Sequence, residues 1–301
     1  MKLIFEEYRD IIPDFPLFQE ALREPFIPHL RVNRIKVDPA NLLQCLNKKD
    51  IRLERANKPI DTLYHSPGLE STGNLVEYFA GYIHPQAYTS CLASVALCPS
   101  ANAYVIDMCA SPGGKTSHLA ELMGNTGLIV ANELFPSRHP GLGHTLSRLG
   151  VTNTVVTGYQ AQQFPLKQRF DFVLADVPCS GEGRFRAIEK SFVYSERRTK
   201  EKLPDLQKKI ITRGFDLLKE DGLMVYSTCT YNPDENESVV NHLLNKRDAI
   251  LLPIDVGSAY EPGLSQWRQE KYEGQLKKTA RFYPHRINSV GFFMAAIGRR
   301  R

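Results

Sequence analysis

The chain of 301 residues is 42% hydrophobic and 24% charged, which is enough to bury a full core in one large domain with a smaller one attached. Its formal net charge of +5 suits a polyanionic partner such as a nucleic acid. No apolar run approaches the ~20 residues that cross a bilayer, and the first residues lack the pattern of a signal peptide, so we expect a cytoplasmic protein with no membrane contact.

The first 85 residues differ in composition from the rest. They contain prolines at positions 13, 16, 25 and 28, which interrupt regular structure, whereas the segment 31–37 is typical of a strand. We predict that residues 1–85 form a small α+β module in front of a catalytic domain that covers residues 86–301.

Beyond residue 104, short apolar runs alternate with helical segments. This alternation is typical of units in which helices connect parallel strands, and it predicts an α/β fold with a doubly wound, mostly parallel sheet. For the last of the helices, Asp234 is expected as the cap and Glu237 as the partner in a capping box. The predicted strands are 104–106, 128–131, 154–156, 172–175, 223–226 and 291–297, and the predicted helices are 115–123, 142–149, 206–218 and 235–244.

The turn after the first of these strands is rich in glycine. Residues 107–116, DMCASPGGKT, end like a phosphate-binding P-loop, but that motif requires a glycine five positions before Gly114, where Cys109 stands. A nucleoside triphosphatase is therefore not expected. The turn instead predicts a helix whose first amides face a ligand, and Glu133, one strand later, is placed to bind ribose hydroxyls. Such a pocket suits a cofactor that contains adenosine, either a nicotinamide dinucleotide or S-adenosylmethionine.

Two cysteines follow two other predicted strands. Cys179 comes after 172–175 and Cys229 after 223–226, so both thiols are expected at strand carboxyl ends, where open α/β sheets form their sites. The six cysteines include no CxxC pair, so we predict neither a metal site nor a disulfide framework. Paired thiols suit methylation of cytosine, because a thiolate that adds to C6 makes C5 able to attack a methylsulfonium. A second ionisable group would then assist loss of the C5 proton, and Asp176 could hold the edge of the base.

Three motifs occur in a fixed order, CASPGGKT at 109–116, DVPCSGEG at 176–183 and STCTYNPDENE at 227–237. Together they resemble the RNA 5-methylcytosine methyltransferases of the Sun (Fmu) family. The resemblance extends to RVN at 31–33, to Gln86 and to the segment 281–293, and so covers nearly the whole chain. It implies a seven-stranded Rossmann-like methyltransferase sheet, S-adenosylmethionine as cofactor, and ribosomal or transfer RNA as substrate.

The resemblance also implies roles for individual residues. Cys229 would attack C6, Cys179 would assist product release, and Asp176 would contact the N3/N4 edge of cytosine. At Gln160 the family usually has an aspartate that faces the adenine amine; a glutamine carbonyl can accept the same hydrogen bond without the charge. The cofactor would be held by Cys109, Ala110, Ser111, Pro112, Gly113, Gly114, Lys115, Glu133, Arg138, Gln160 and Asp176.

Two other functions fit parts of this pattern. An RNA-binding or ribosome-assembly factor on the same fold would bind RNA without turnover. A DNA cytosine methyltransferase would use Cys179 as its nucleophile, and the presence of Cys229 favours RNA instead. We expect residues 1–85 and the basic loops to position the RNA, and the chain to act as a monomer.

Overall fold

The computed structural model describes residues 4–56, 59–66, 69, 71–187 and 197–300, with the backbone alone for 197–201. Among these residues, no helix is both long enough and apolar enough to cross a bilayer. In the described part of the chain the α-helices are α1 (Phe15–Ala21), α2 (Pro39–Asn47), α3 (Val76–Phe79), α4 (Tyr88–Leu97), α5 (Gly114–Leu122), α6 (His139–Arg148), α7 (Arg197–Leu217), α8 (Glu237–Lys246) and α9 (Pro284–Ile287). The strands are β1 (His29–Val32), β2 (Glu54–Arg55), β3 (Leu63–His65), β4 (Ile83–Pro85), β5 (Tyr104–Asp107), β6 (Leu128–Asn132), β7 (Thr154–Thr157), β8 (Phe170–Asp176), β9 (Leu218–Thr228), β10 (Ala249–Leu252), β11 (Glu261–Pro262), β12 (Gln266–Trp267), β13 (Glu270–Lys271), β14 (Ala280–Phe282) and β15 (Phe292–Arg299).

The central sheet has the predicted architecture. Its strands run in the order β7-β6-β5-β8-β9-β15, with β14 and β11 following, and β10 pairs with the other end of β15. The strands from β7 to β9 are parallel to their neighbours, whereas β15 is antiparallel to β9, β10 and β14. The mostly parallel, Rossmann-like α/β fold is therefore confirmed. The sheet has nine strands rather than seven because β10 and β14 share the place beside β15 and β11 extends β14.

The middle strands of the sheet are buried on both faces. Val105 of β5 and Val173 and Leu174 of β8 are inaccessible to solvent, as expected for the continuous apolar runs of parallel strands. Asp107 and Asp176 end these two strands. The first charged side chains after the apolar runs therefore lie at the carboxyl edge of the sheet.

Helix α8 does not begin with the predicted capping box. Its N-cap residue is Asn236 rather than Asp234, and the Glu237 side chain turns into the core. There it forms an ion pair with Arg281 of β14, and both side chains are almost completely buried. A buried carboxylate requires a partner of opposite charge, and here that partner comes from a distant part of the chain.

The N-terminal residues contain the predicted α+β module. Strands in the order β2-β3-β1-β4 form an antiparallel sheet, and Leu42 and Leu46 of α2 pack in one cluster with Leu30 of β1. The predicted strand 31–37 is wrong in its second half. Strand β1 ends at Val32, because Asn33 begins a turn in which its side chain accepts a hydrogen bond from the backbone N–H of Ile35.

A buried charge joins this module to the catalytic domain. Arg31 of β1 is fully buried. Its guanidinium forms an ion pair with Glu121 and donates to the hydroxyl of Ser117, both on α5, and to the side chain of Gln86. Strand β1 and helix α5 therefore share an interface that cannot separate without exposing this charge or leaving it without its partner.

Candidate active site

The two paired cysteines lie at the carboxyl ends of neighbouring parallel strands. Asp176, the last residue of β8, is in register with Ser227 of β9, so the turns that follow leave the sheet side by side. The sulfurs of Cys179 and Cys229 are 3.3 Å apart. The backbone N–H of Cys229 also donates to the sulfur of Cys179 over 3.3 Å. This arrangement allows both sulfurs to act on a single base.

Hydrogen bonding shifts the pKa values of the two cysteines in opposite directions. The hydrogen bond from Cys179 lowers the pKa of Cys229 despite its burial. The positive charges of Lys115 and Arg184 lower the pKa of Cys229 further. The same hydrogen bond, together with burial, raises the pKa of Cys179 well above its ordinary value. Because the thiolate is the nucleophile, the geometry favours Cys229 as the attacking group and keeps Cys179 protonated.

Asp176 stands between the two thiols and the glycine-rich turn. Its carboxylate accepts hydrogen bonds from Nζ of Lys115 at 2.8 Å and from the hydroxyl of Ser227 at 2.8 Å. Burial alone would lower the pKa of Lys115, but the neighbouring Asp176 carboxylate outweighs burial and raises it. Lys115 therefore remains charged, and the Asp176 side chain is fixed in place with lone pairs left to accept from a ligand.

The glycine-rich turn is braced by a buried carboxylate. Asp107 accepts hydrogen bonds from the hydroxyl of Thr116 at 2.7 Å and from the backbone N–H of Cys109 at 3.4 Å. Burial raises the pKa of Asp107 to about 6, and the charge of Asp176 contributes in the same direction. Burial and the Asp107 carboxylate also raise the pKa of Cys109. The thiol of Cys109 therefore stays protonated, and this third cysteine lines the site without acting as a nucleophile.

A second carboxylate is connected to the same turn through an arginine. Glu133, which follows β6, accepts from the backbone N–H of Phe135 at 2.9 Å and lies 3.2 Å from the guanidinium of Arg138. Arg138 also donates to the carbonyl of Ser111 at 3.2 Å. The candidate ribose-binding residue is thus held in a fixed position relative to the turn.

Most of the predicted site residues surround one cavity of about 410 Å³, the catalytic cavity. Those that line it are Cys109, Ala110, Ser111, Pro112, Gly114, Lys115, Arg138, Asp176, Cys179 and Cys229. Gly113, Glu133 and Gln160 are not among its walls. Gly113 instead shapes the turn, because its φ of 105° is readily adopted only by glycine.

Gln160 lies apart from the catalytic cavity. It is exposed after the end of β7, and its side-chain oxygen accepts a hydrogen bond from Nε2 of Gln162 at 2.9 Å. The expected contact between Gln160 and adenine therefore stays a prediction.

The catalytic cavity is also lined by residues that the sequence analysis did not single out as site residues, among them His84, Arg184 and Phe292. Burial, together with the charges of Arg31 and Arg148, lowers the pKa of His84 to about 3, so its imidazole is neutral. Its Nδ1 accepts from Arg148 at 3.0 Å, which leaves the proton on Nε2. No local sequence signal could have found His84, because its position depends on the contact between the N-terminal module and α5.

Two buried carboxylates that the analysis also missed hold the cysteine turns together. Glu235 accepts from the backbone N–H of Ser180 at 2.9 Å and from the side chain of Gln207 at 2.9 Å. The hydroxyl of Ser180 lies 2.7 Å from that of Thr230, which donates to Glu182 at 2.9 Å. Glu182 and Glu235 both lie within the sequence motifs at 176–183 and 227–237, and this position was the one feature of the sequence that could have marked them as site residues. Their burial could not be inferred, because acidic residues beside turns are usually exposed.

Comparison with known proteins gives matches along nearly the whole chain. The family model described as 16S rRNA methyltransferase RsmB/F matches residues 94–298. The 28S rRNA (cytosine(4447)-C(5))-methyltransferase of Homo sapiens is 36% identical over 294 residues, which are 93% of this chain and 36% of the human protein. The chain thus spans about a third of the length of that relative.

Two archaeal proteins match over almost their full length. The tRNA (cytosine(49)-C(5))-methyltransferase of Pyrococcus abyssi is 33% identical over 305 residues, with 98% of this chain and 95% of that protein covered. A crystal structure of a methyltransferase homolog from Pyrococcus horikoshii has a TM-score of 0.83 and 32% identity, and the match covers 96% of this chain and 91% of that one.

Proposed function

The chain belongs to the family described as 16S rRNA methyltransferase RsmB/F, and from that premise we propose that it methylates C5 of a cytosine in RNA through a covalent bond between Cys229 and C6. The observation that carries this proposal is the 3.3 Å contact between the sulfurs of Cys229 and Cys179 beside Asp176. Ribosomal RNA is the first candidate substrate and transfer RNA the second, in keeping with the names of the two curated relatives.

The residues around the glycine-rich turn suit S-adenosylmethionine. Glu133, which follows β6, is connected through Arg138 to the turn, where it is a candidate to accept hydrogen bonds from ribose hydroxyls. The turn itself lines the cavity of about 410 Å³, which is of the size that encloses small ligands. Residues 109–115, together with Glu133 and Arg138, would hold this cofactor, with Gln160 as the candidate contact to adenine. When bound, S-adenosylmethionine supplies a methyl group activated by a sulfonium.

The chain's own groups would hold the target base by its polar edge. The Asp176 carboxylate can accept hydrogen bonds from the N4 amino group, and its ion pair with Lys115 holds it in position while doing so. The base must leave its stack to reach this point, because C6 and C5 are otherwise covered by neighbouring bases.

The covalent step follows from the unequal thiols. The Cys229 thiolate forms a bond to C6, and the electron pair of the C5–C6 double bond moves towards C5, which then accepts the methyl group. Once the sulfur of Cys229 is bonded to carbon, its negative charge no longer raises the pKa of Cys179. Cys179 can then lose its proton to solvent water, and its thiolate accepts the proton from C5. The electrons of the broken C5–H bond re-form the C5–C6 double bond and expel Cys229 as a thiolate.

Residues 1–85 are proposed to position the RNA. Phe26, Ile27, Pro28 and His29 line a second cavity that also touches Cys179, so the module reaches the edge of the catalytic cavity. This location supports a role in delivering the substrate rather than in the chemistry itself.

The proposal is tested with purified protein, labelled S-adenosylmethionine and total RNA from a strain that lacks this gene. We expect label in 5-methylcytidine of one size class of RNA after digestion to nucleosides. Binding of RNA with no methyl incorporation would instead support a non-catalytic assembly factor, and incorporation into duplex DNA would support a DNA methyltransferase.

The division of roles between the thiols has its own test. Cys179→Ala, incubated with RNA and cofactor, should accumulate a protein–RNA adduct that resists denaturant, because the C5 proton is no longer removed. Cys229→Ala should give neither adduct nor product, and Cys45→Ala, on an exposed part of α2, should behave as the wild type. No adduct with Cys179→Ala while the wild type is active would contradict the assigned roles.

A further inference from the structure

A second, larger cavity adjoins the catalytic cavity. Its volume is about 700 Å³, and it shares Gln86, Cys179 and Arg184 with the smaller one. An RNA strand that delivers a base to the thiols can occupy this space, because both cavities are lined by Cys179. The larger cavity is therefore a candidate site for the nucleotide that follows or precedes the reacting one.

One wall of the larger cavity is an aromatic ring that rests on a buried guanidinium. Phe26 lines the cavity and is only partly buried. The guanidinium carbon of Arg186 lies 3.7 Å from the centre of the Phe26 ring, and Arg186 is 2% exposed. Arg186 is fixed in turn by donation to the carbonyl of Ser289 at 3.1 Å. Because the arginine packs on one face of Phe26 and the ring lines the cavity, the ring can stack on a base that enters the cavity, and such stacking tolerates any base.

A buried amide on the shared wall provides a hydrogen-bond donor. Gln86 is 8% exposed, and its side-chain oxygen accepts from Nε of Arg31 at 3.0 Å, which fixes the orientation of the amide. Among the residues that the structure describes, Nε2 of Gln86 has no hydrogen-bond partner. Buried donors are nearly always paired in folded proteins, so this group points to an acceptor supplied by a ligand.

We propose that the larger cavity binds the RNA nucleotide next to the target cytosine, with its base stacked on Phe26 and one of its oxygens accepting from Gln86. Arg184, exposed where the cavities meet, pairs with the phosphate between the two nucleotides. The RNA at this point is single-stranded, because a base inside a double helix is stacked on its neighbours and has no free face for Phe26. This inference rests on the proposed function, since the bound nucleotide arrives with the cytosine that is methylated.

The test uses synthetic copies of the RNA segment that the labelling experiment identifies. One copy is intact, and two lack the base immediately 5′ or 3′ of the target cytosine. With the wild type, loss of one of these bases should lower kcat/KM by about 5- to 100-fold, as expected for one base–aromatic stack, mainly through KM. On intact RNA, Phe26→Leu should have a kcat/KM lower than that of the wild type by a similar factor. On the abasic RNA that lowers kcat/KM of the wild type, Phe26→Leu and the wild type should have the same kcat/KM. Phe26→Tyr should retain the wild-type preference for intact RNA.

The outcomes separate this inference from the proposed function. Equal kcat/KM on intact and abasic RNAs with the wild type would overturn the inference alone, and that comparison does not depend on how any variant folds. Equal losses by Phe26→Leu on intact and abasic RNA would also overturn it, because the residue and the base would then act independently. No methyl transfer to any RNA would overturn the proposed function and this inference with it.

Discussion

Cys179 and Cys229 are chemically identical side chains whose pKa values move in opposite directions. One hydrogen bond between them explains most of the difference, because it stabilises the thiolate of Cys229 and the thiol of Cys179. Lys115 and Arg184 add positive charge on the side of the thiolate. Reactivity is thus set by neighbours rather than by residue type.

Arg184 provides a test of this argument. Its charge lowers the pKa of Cys229, so Arg184→Gln should raise that pKa, and the thiolate should then form only at higher pH. We expect the midpoint of the pH dependence of Cys229 alkylation by iodoacetamide, followed by mass spectrometry, to move upward. Arg55→Gln, on the exposed strand β2, is the charge-matched control and should leave the midpoint unchanged. A midpoint that does not move in Arg184→Gln would show that its charge has no influence on the thiol.

The site residues that sequence could predict are those whose chemistry is visible in a short motif. Cys179, Cys229 and Lys115 were found in this way. Glu235 and Gln207 were not, because their task is to bind the turn of Ser180 from more than 25 residues away in the chain, and only folding brings them there.

At the scale of elements, the turn after β8 and the chain before β15 meet through two glycines. The backbone N–H of Gly291 donates to the carbonyl of Gly183 at 2.9 Å, and the N–H of Gly183 donates to the carbonyl of Cys229 at 2.9 Å. A Cβ on Gly183 would lie 2.1 Å from the carbonyl oxygen of Gly291. The approach of these segments therefore requires glycine at this position.

We predict that Gly183→Ala destabilises the protein by about 1–3 kcal/mol, because the backbone segments must move apart. The rate of methyl transfer should fall further than the loss of stability explains, because the backbone N–H of residue 183 is hydrogen-bonded to the carbonyl of Cys229. Gly141→Ala in α6 is the matched control: a Cβ there meets no atom within 4 Å, and the change should stabilise the protein by about 0.4–1 kcal/mol. Urea denaturation and methyl transfer measure both effects; wild-type activity in Gly183→Ala would contradict the argument.

The ion pair between α8 and β14 gives a prediction about stability. Arg281→Met should cost about 3–5 kcal/mol, because it leaves the carboxylate of Glu237 buried without a counter-charge. The double variant with Glu237→Gln should recover a large part of the loss, since the amide oxygen can still accept from the backbone N–H of Leu264. Additive losses in a double-mutant cycle by chemical denaturation would mean that the two side chains are not coupled.

The elements that sequence predicted well are those with strong apolar runs in the centre of the sheet. The edge was predicted less well, because β10, β11 and β14 are short and owe their strand conformation to pairing with β15 or with each other. The start of α8 was predicted wrongly for a similar reason. The local pattern of residues 234–237 favours a capping box, but Glu237 instead forms a tertiary ion pair with Arg281.

At the scale of the whole molecule, the N-terminal residues contact the rest of the chain at several places, and two of these contacts suit an unfolding experiment. Arg31 is buried against α5, and Tyr8 packs against Trp267 with ring centres 5.9 Å apart. Trp267 is the single tryptophan of the chain. Its fluorescence therefore reports on the contact with the N-terminal segment, whereas far-UV circular dichroism reports on the secondary structure of all parts.

We predict that these two signals change with the same midpoint in guanidinium, because the shared interface makes the parts unfold together. Arg31→Met should lower both midpoints by the same amount, since Glu121 would be left buried without its partner. Two separated midpoints in the wild type would show that residues 1–85 unfold independently.

The reversed direction of β15 has a consequence for how the site is assembled during synthesis. Because β15 is antiparallel to β9, Phe293 is in register with Thr228, next to Cys229. The chain before β15 is thereby brought to the catalytic edge, where Val290 lines both cavities and Phe292 lines the smaller one. A parallel strand would have delivered this segment to the opposite edge of the sheet. The walls of the two cavities therefore include residues as far apart in the chain as 26–29 and 289–292, and a nascent chain on the ribosome cannot complete the site until β15 has emerged.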